Sequence, residues 1–407
     1  MNHKQLLAIV AVAVILLSLA ESCKKETEAT PAATANATVV MTTAPATAVQ
    51  TAFGTNINLS ALENYAQQAV PNYITRDNGR ANPINNAAAT LGRVLFYDKA
   101  LSITNTIACA SCHKQELAFG DNAIQSTGAN GITTRHSMRL VNARFAQEVN
   151  FFWDKRAATL EAQTIQPIQN HNEMGYSGLN GDPGIDVLIT KLQGIAYYKQ
   201  LFTFVYGDAT ITETRMQTAL AQFIRSIQSF DSKFDAGMAQ ATNLGQDFPN
   251  FTAQENLGKS LFLNPPSPPG TVVNGAGCQA CHRAPEFDID PNSRNNGIIG
   301  VAGSTSLVDV TNTNPPSLRN LLDPTGKPNG LYMHNGSLGT LADVINHYNQ
   351  IPIDPRNTNL DNRLNRGGQG QALRLSQAQK DAIVAFLATL SGKDVYTNKK
   401  WASPFIN

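Results

Sequence analysis

A mainly α-helical fold built twice over is what the sequence predicts. Three observations predict it: a Cys-x-x-Cys-His unit in each half of the chain, a Leu-Gly-x-x-Leu-Phe segment before each unit, and apolar periodicities that are helical rather than alternating. At 407 residues the chain suits two packed domains with some unfolded sequence. Lys plus Arg is 31 against Asp plus Glu of 30, a balance that gives no electrostatic argument for nucleic acid.

The N-terminus reads as an export signal. Lys4 supplies positive charge, residues 6–19 form an apolar run too short to span a bilayer, and the run ends at Ala20-Glu21-Ser22-Cys23. That pattern makes residues 1–22 a lipoprotein signal peptide and Cys23 the acylated residue, with a plain signal peptide and an incidental cysteine as the alternative. Acyl chains on Cys23 would hold the body at a membrane outside the cytoplasm, as a periplasmic lipoprotein. Residues 23–58 are rich in Thr, Ala, Pro and Val and poor in aromatics, which predicts a disordered tether; the globular part is expected from Leu59.

Beyond Cys23 the remaining cysteines are Cys109, Cys112, Cys278 and Cys281, followed immediately by His113 and His282. In Cys-x-x-Cys-His the two thiols form thioethers with haem vinyl groups and the histidine binds iron, so two covalently bound c-type haems are expected. One zinc held by four thiolates would not require the adjacent histidines, and two tightly spaced disulfides would constrain little.

Each half repeats a pattern. Leu91-Gly92-Arg93-Val94-Leu95-Phe96 precedes the first motif and Leu257-Gly258-Lys259-Ser260-Leu261-Phe262 the second; Trp153-Asp154 with Ala158-Thr159-Leu160 is echoed by His334-Asn335 with Gly339-Thr340-Leu341. Helices are predicted over residues 211–234 and 376–390, while Gly- and Asn-rich loops at 119–134 and 264–277 suit chain wrapped around a flat cofactor. The expected architecture is mainly α with two cytochrome c-like haem domains, residues 59–240 and 241–400, and a last helix able to pack back on the first.

With Phe152-Trp153-Asp154-Lys155-Arg156-Ala157, Asn172-Glu173-Met174, Pro316-Ser317-Leu318-Arg319-Asn320 and Tyr332-Met333-His334-Asn335-Gly336 in order, the sequence resembles the bacterial di-haem cytochrome c peroxidase/MauG family. The resemblance implies that His113 serves a peroxide-reacting haem and His282 an electron-transfer haem. It implies an inter-haem relay at Trp153, a general acid/base at Glu173 and a peroxide-orienting amide at Gln163; a core aromatic and a surface amide are the plainer readings of Trp153 and Gln163. Hydrogen peroxide and a small cytochrome c or cupredoxin donor are the implied partners, and a homodimer is compatible with the sequence. The rival readings are a MauG-like oxidase and a non-catalytic electron-transfer lipoprotein.

Three positions depart from the peroxidase branch. Ala129 stands where that branch places a distal histidine, leaving His136 and His171 as the nearby substitutes. Tyr348 stands where it places an axial methionine, as in MauG-like members; Met333, His347 and His334 compete for that role. His136 also replaces the asparagine of the family's calcium site, a poor donor for a hard cation, while Asn314 and Pro316 still offer carbonyls.

Overall fold

The computed structural model describes residues 46–406, so Cys23, the signal segment and most of the tether lie outside the described residues. The tether ends earlier than residue 58. Helix α1 (Ala48–Phe53) opens on a capping box between Thr47 and Gln50, and its Val49 and Phe53 are buried. Phe53 meets the rings of Tyr197 and Phe405 at 5.2 and 5.0 Å, partners too distant in sequence for local composition to reveal.

The remaining helices are α2 (Asn86–Tyr97), α3 (Cys109–Cys112), α4 (Leu160–Ile165), α5 (Ile185–Gln193), α6 (Ala196–Tyr206), α7 (Glu213–Ser226), α8 (Lys233–Met238), α9 (Ala253–Leu263), α10 (Leu341–Asn349) and α11 (Gln377–Ala388). Among the described residues, strands are confined to two antiparallel pairs, β1 (His282–Arg283) with β2 (Asp288–Ile289) and β3 (Asn365–Arg366) with β4 (Gln369–Gly370). The chain is therefore mainly helical, as predicted.

The repeated Leu-Gly-x-x-Leu-Phe segments are helix crossings. A Cβ on Gly92 of α2 would lie 2.0 Å from the Ala219 carbonyl oxygen of α7, and one on Gly258 of α9 would lie 1.8 Å from the Ala382 carbonyl oxygen of α11. Only a missing side chain allows such contact. Leu95 and Phe96 then point into one core, with Met216, Leu220 and Phe223, and Leu261 and Phe262 into a second, with Ile383 and Phe386.

Three boundaries differ from expectation. The helix predicted over 211–234 stops at Ser226, because residues beyond it turn to meet Asn142: the Asn142 amide N–H reaches the Ile227 carbonyl at 3.0 Å, and its side chain pairs with both backbone groups of Ser229. The chain restarts at α8 with a Ser232/Asp235 capping box and puts Phe234 into the second core, so the core changes before residue 240. Finally, α11 packs on α9 in the second core. It is the tail after it that returns: Val395 and Trp401 are buried in the first core, where the Trp401 indole donates to the Ser226 carbonyl at 3.1 Å and Arg93 Nε donates to the Ala402 carbonyl at 2.6 Å.

Candidate active site

Helix α3 is a single turn, closed by the Ser111 hydroxyl accepting from the Ala108 N–H at 3.0 Å, and it leaves Cys109 and Cys112 as free thiols beside His113. Burial pushes the two thiols up to about 12 and about 11, and both feel the Glu173 carboxyl. The Nδ1 of His113 lies 3.2 Å from the Phe119 carbonyl oxygen, and burial lowers its pKa, which favours the neutral imidazole that a metal requires.

A cavity of about 160 Å³ adjoins this turn, lined by His113, Trp153, Arg156, Leu160, Gln163 and Glu173 among others. Its walls bring together the three residues expected to act here. Burial raises the Glu173 pKa against the opposing pull of Arg156. Gln163, on α4, makes no side-chain hydrogen bond to another described residue and so keeps its amide for a guest.

The loop carrying Ala129 is strapped to Glu173. The Ala129 N–H donates to the Glu173 carbonyl at 2.8 Å, and a Cβ on Gly128 would lie 2.0 Å from the Asn172 carbonyl oxygen. Of the two substitute histidines, His171 is exposed and paired with Asp182 at 2.7 Å, while His136 is buried with its Nδ1 2.7 Å from the Ala123 carbonyl oxygen. His171 lies outside both cavity linings, whereas His136 lines both, and its Nδ1 makes the same kind of backbone contact that His113 makes with Phe119.

At the second motif Cys278 opens a 3₁₀ turn, Cys278–Ala280, and His282 begins β1. Cys278 and Cys281 are free thiols pushed by burial to about 12 and about 11. His282 is pushed down to about 4 by burial and Arg363, and its Nδ1 is buried without a partner. The adjoining cavity is about 400 Å³, within the range that holds cofactor-sized ligands. Tyr348, on α10, faces it. The Asn296 amide donates to the Tyr348 oxygen at 3.1 Å and also approaches the Met333 sulfur at 3.3 Å, so both candidate ligands meet at one side chain. Burial raises the Tyr348 phenol, and the nearby thiols add to the shift against the Asn296 hydrogen bond. His347 and His334 are hydrogen-bonded through Nε2 to the carbonyls of Asn296 and Gly300, at 2.9 and 3.2 Å.

Trp153 lines both cavities. Its indole N–H donates to the His136 carbonyl at 2.8 Å, its own carbonyl accepts from Thr313 and Asn314 at 2.8 and 3.0 Å, and its ring meets His334, its counterpart in the repeat, edge-on at 6.2 Å. At the calcium position the Asn314 amide nitrogen is spent on the Asn150 and Phe152 carbonyls, at 3.0 and 3.1 Å, leaving only its oxygen for a cation. Two lining residues went unnoticed in the sequence: Asn296, which no local signal marks, and Arg139, which lies in the His136–Asn142 stretch matching Asn314–Asn320 of the repeat.

The second cavity, with apolar walls and Cys278, Cys281 and His282 in its lining, fits a covalently held haem, and the first has His113 in its lining with Cys109 and Cys112 on the adjoining turn. Residues 86–243 match the family described as di-haem cytochrome c peroxidase. Over those residues the chain carries a domain of the di-haem cytochrome c peroxidase/MauG family. The methylamine utilization protein MauG of Methylophilus methylotrophus is 29% identical over 319 residues, 77% of this chain and 84% of that protein. The cytochrome c551 peroxidase of Nitrosomonas europaea is 28% identical over 326 residues, 76% and 81% of the two chains. Two solved structures share the fold: a MauG-like protein associated with microbial copper homeostasis (TM-score 0.63, 24% identity, 83% of this chain and 99% of that one) and the diheme peroxidase BthA of Burkholderia thailandensis (TM-score 0.59, 21% identity, 79% and 90%). The matched family is one of di-haem oxidoreductases, and peroxidases and MauG proteins are both among the relatives.

Proposed function

We propose that this chain is a di-haem peroxidase that reduces hydrogen peroxide, with two electrons and two protons, to two waters, and that its N-terminal site is open at rest. The observation that carries this is the pairing of a buried Glu173 carboxyl with the Ala129 loop tied down onto its backbone: a proton-handling group faces the cavity and the loop offers no side chain to close it.

Cys109, Cys112 and His113 would hold one haem and Cys278, Cys281 and His282 the other, in two haem domains whose cores change between Ile227 and Phe234. When bound, the first supplies the iron at which peroxide is reduced and the second supplies the electron store. The Glu173 carboxylate takes the proton from the inner peroxide oxygen and returns it to the outer one, a service worth roughly 10²- to 10⁴-fold in rate. Gln163 orients the guest through its unoccupied amide. Trp153 fills the wall common to both cavities with a polarizable ring whose indole N–H is fixed by the His136 carbonyl. A small cytochrome c or cupredoxin is the donor. Cys23 is the lipid attachment point that keeps the enzyme at a membrane outside the cytoplasm.

Tyr348 supports a second reading, a MauG-like oxidase acting on a protein or small molecule. A phenol hydrogen-bonded by Asn296 can become an anionic ligand that favours the oxidised metal, which a store of electrons for peroxide does not need. Stopped-flow mixing of the all-ferric protein with peroxide tests the main proposal. A reaction before any reduction is expected, along with peroxide turnover supported by a small reduced cytochrome. A fully low-spin protein that ignores peroxide until one electron is added would refute the open site.

A further inference from the structure

Among the described residues, interior cations have partners. Arg319 is fully buried and reaches both Asp235 oxygens at 2.8 Å, Arg225 pairs with Glu161, and Lys259 donates to the Leu244 carbonyl at 3.1 Å. Arg139 is the exception. Its Nε is buried without a partner, and its guanidinium makes no hydrogen bond or ion pair to any other described residue. Its side chain nonetheless lines both cavities.

The neighbours of Arg139 do not neutralise it. The charged form is opposed by burial and supported only by the phenols of Tyr332 and Tyr396, with no carboxylate in range. Those phenols are spent: Tyr332 donates to the Leu321 carbonyl and Tyr396 to the Leu322 carbonyl, each at 3.0 Å. The stem is fixed by Gly120, where a Cβ would lie 2.8 Å from Arg139 Cγ. An arginine does not lose its proton, so a positive charge sits desolvated at the junction of two cavities and lacks an anion.

We propose that Arg139 is a carboxylate anchor at this junction, taking a propionate of the bound haem through the two-point geometry that a guanidinium offers a carboxylate. This rests on the reading that both cavities hold haem. The anchor's charge would raise the reduction potential of the haem it touches and, less strongly, of the other.

The test uses the loaded protein. Haem content is measured first, by pyridine haemochrome; fewer than two haems per chain in the wild type would refute the di-haem reading itself. With two haems present, a crystal structure of the wild type is expected to show the Arg139 guanidinium bonded to a haem carboxylate. Potentiometric titration of Arg139→Gln is expected to show both potentials lowered, with Arg139→Lys recovering part of the shift. Failure of Arg139→Gln to retain haem while Arg139→Lys retains two per chain would also support the anchor. A guanidinium bonded only to protein carbonyls and water in the loaded wild type, or potentials unchanged in Arg139→Gln, would overturn it.

Discussion

Around His113 the walls carry a carboxyl and an amide with no partner among the described residues; around His282 they carry a phenol and a thioether that share one. The first cavity has a buried carboxyl, Glu173, and the idle amide of Gln163. The second has a phenol and a thioether joined by Asn296, and its lining carboxylate, Asp361, is held low against burial by hydrogen bonds from Arg363. Since both cavities are built on the same Gly-mediated helix crossing and the same Cys-x-x-Cys-His turn, the scaffold does not set this difference. A handful of side chains on the loops and on α4 and α10 does, so one supersecondary unit used twice can support two chemistries.

The comparison can be broken most severely through the cores. Trp401→Ala removes a fully buried ring from the first core and leaves the second untouched, so a loss of about 3–5 kcal/mol is expected, confined by hydrogen exchange to the N-terminal half. Equal loss of protection in both halves would show that they do not unfold separately. Glu173→Gln comes next: peroxide reaction at the first site should slow roughly 10²-fold or more while both potentials stay put. In the wild type the rate should rise with pH through a pKa above the ordinary carboxylic range, because burial raises that of Glu173 and the deprotonated form accepts the proton. The variant should lose that limb, and a persisting limb would assign it to another group. Gly92→Ala and Gly258→Ala drive a methyl into a carbonyl in the first and second crossing respectively. Each should cost roughly 1–3 kcal/mol or more, to similar degrees if the crossings are equivalent. Tyr348→Met should raise the potential of the second haem alone, and an unmoved potential would make Tyr348 a packing residue. Smallest in its effect on the fold, Cys23→Ser should release the protein from membranes with an unaltered haem spectrum; equal retention would end the lipid assignment.

Much of this was legible in the sequence because it is local. The Cys-x-x-Cys-His turns, the Leu-Gly-x-x-Leu-Phe crossings and the helical stripe of α7 each declare themselves within a dozen residues, and Glu173, Gln163 and Trp153 do converge on one cavity. What escaped depends on partners far along the chain. Val49 and Phe53 look like tether until Tyr197 and Phe405 cover them, and the periodicity of α7 runs past Ser226 until Asn142 captures the next residues. Nothing in the residues around Arg139 sets it apart from a surface arginine. Its importance lies in a missing partner, and absence of a contact leaves no mark on a sequence.

The returning tail also dictates an order of assembly. Val395 and Trp401 complete a core whose other members begin at Val49, and the backbone carbonyls of Lys400, Trp401 and Ala402 accept from Tyr65, Tyr97 and Arg93. A chain made N-terminus first must therefore wait for its final residues before its first half can close, whereas the second half already holds all of its own core. Through that interval the Cys109–Cys112 turn belongs to an unfinished body, and the C-terminal residues act as the clasp that shuts it afterwards.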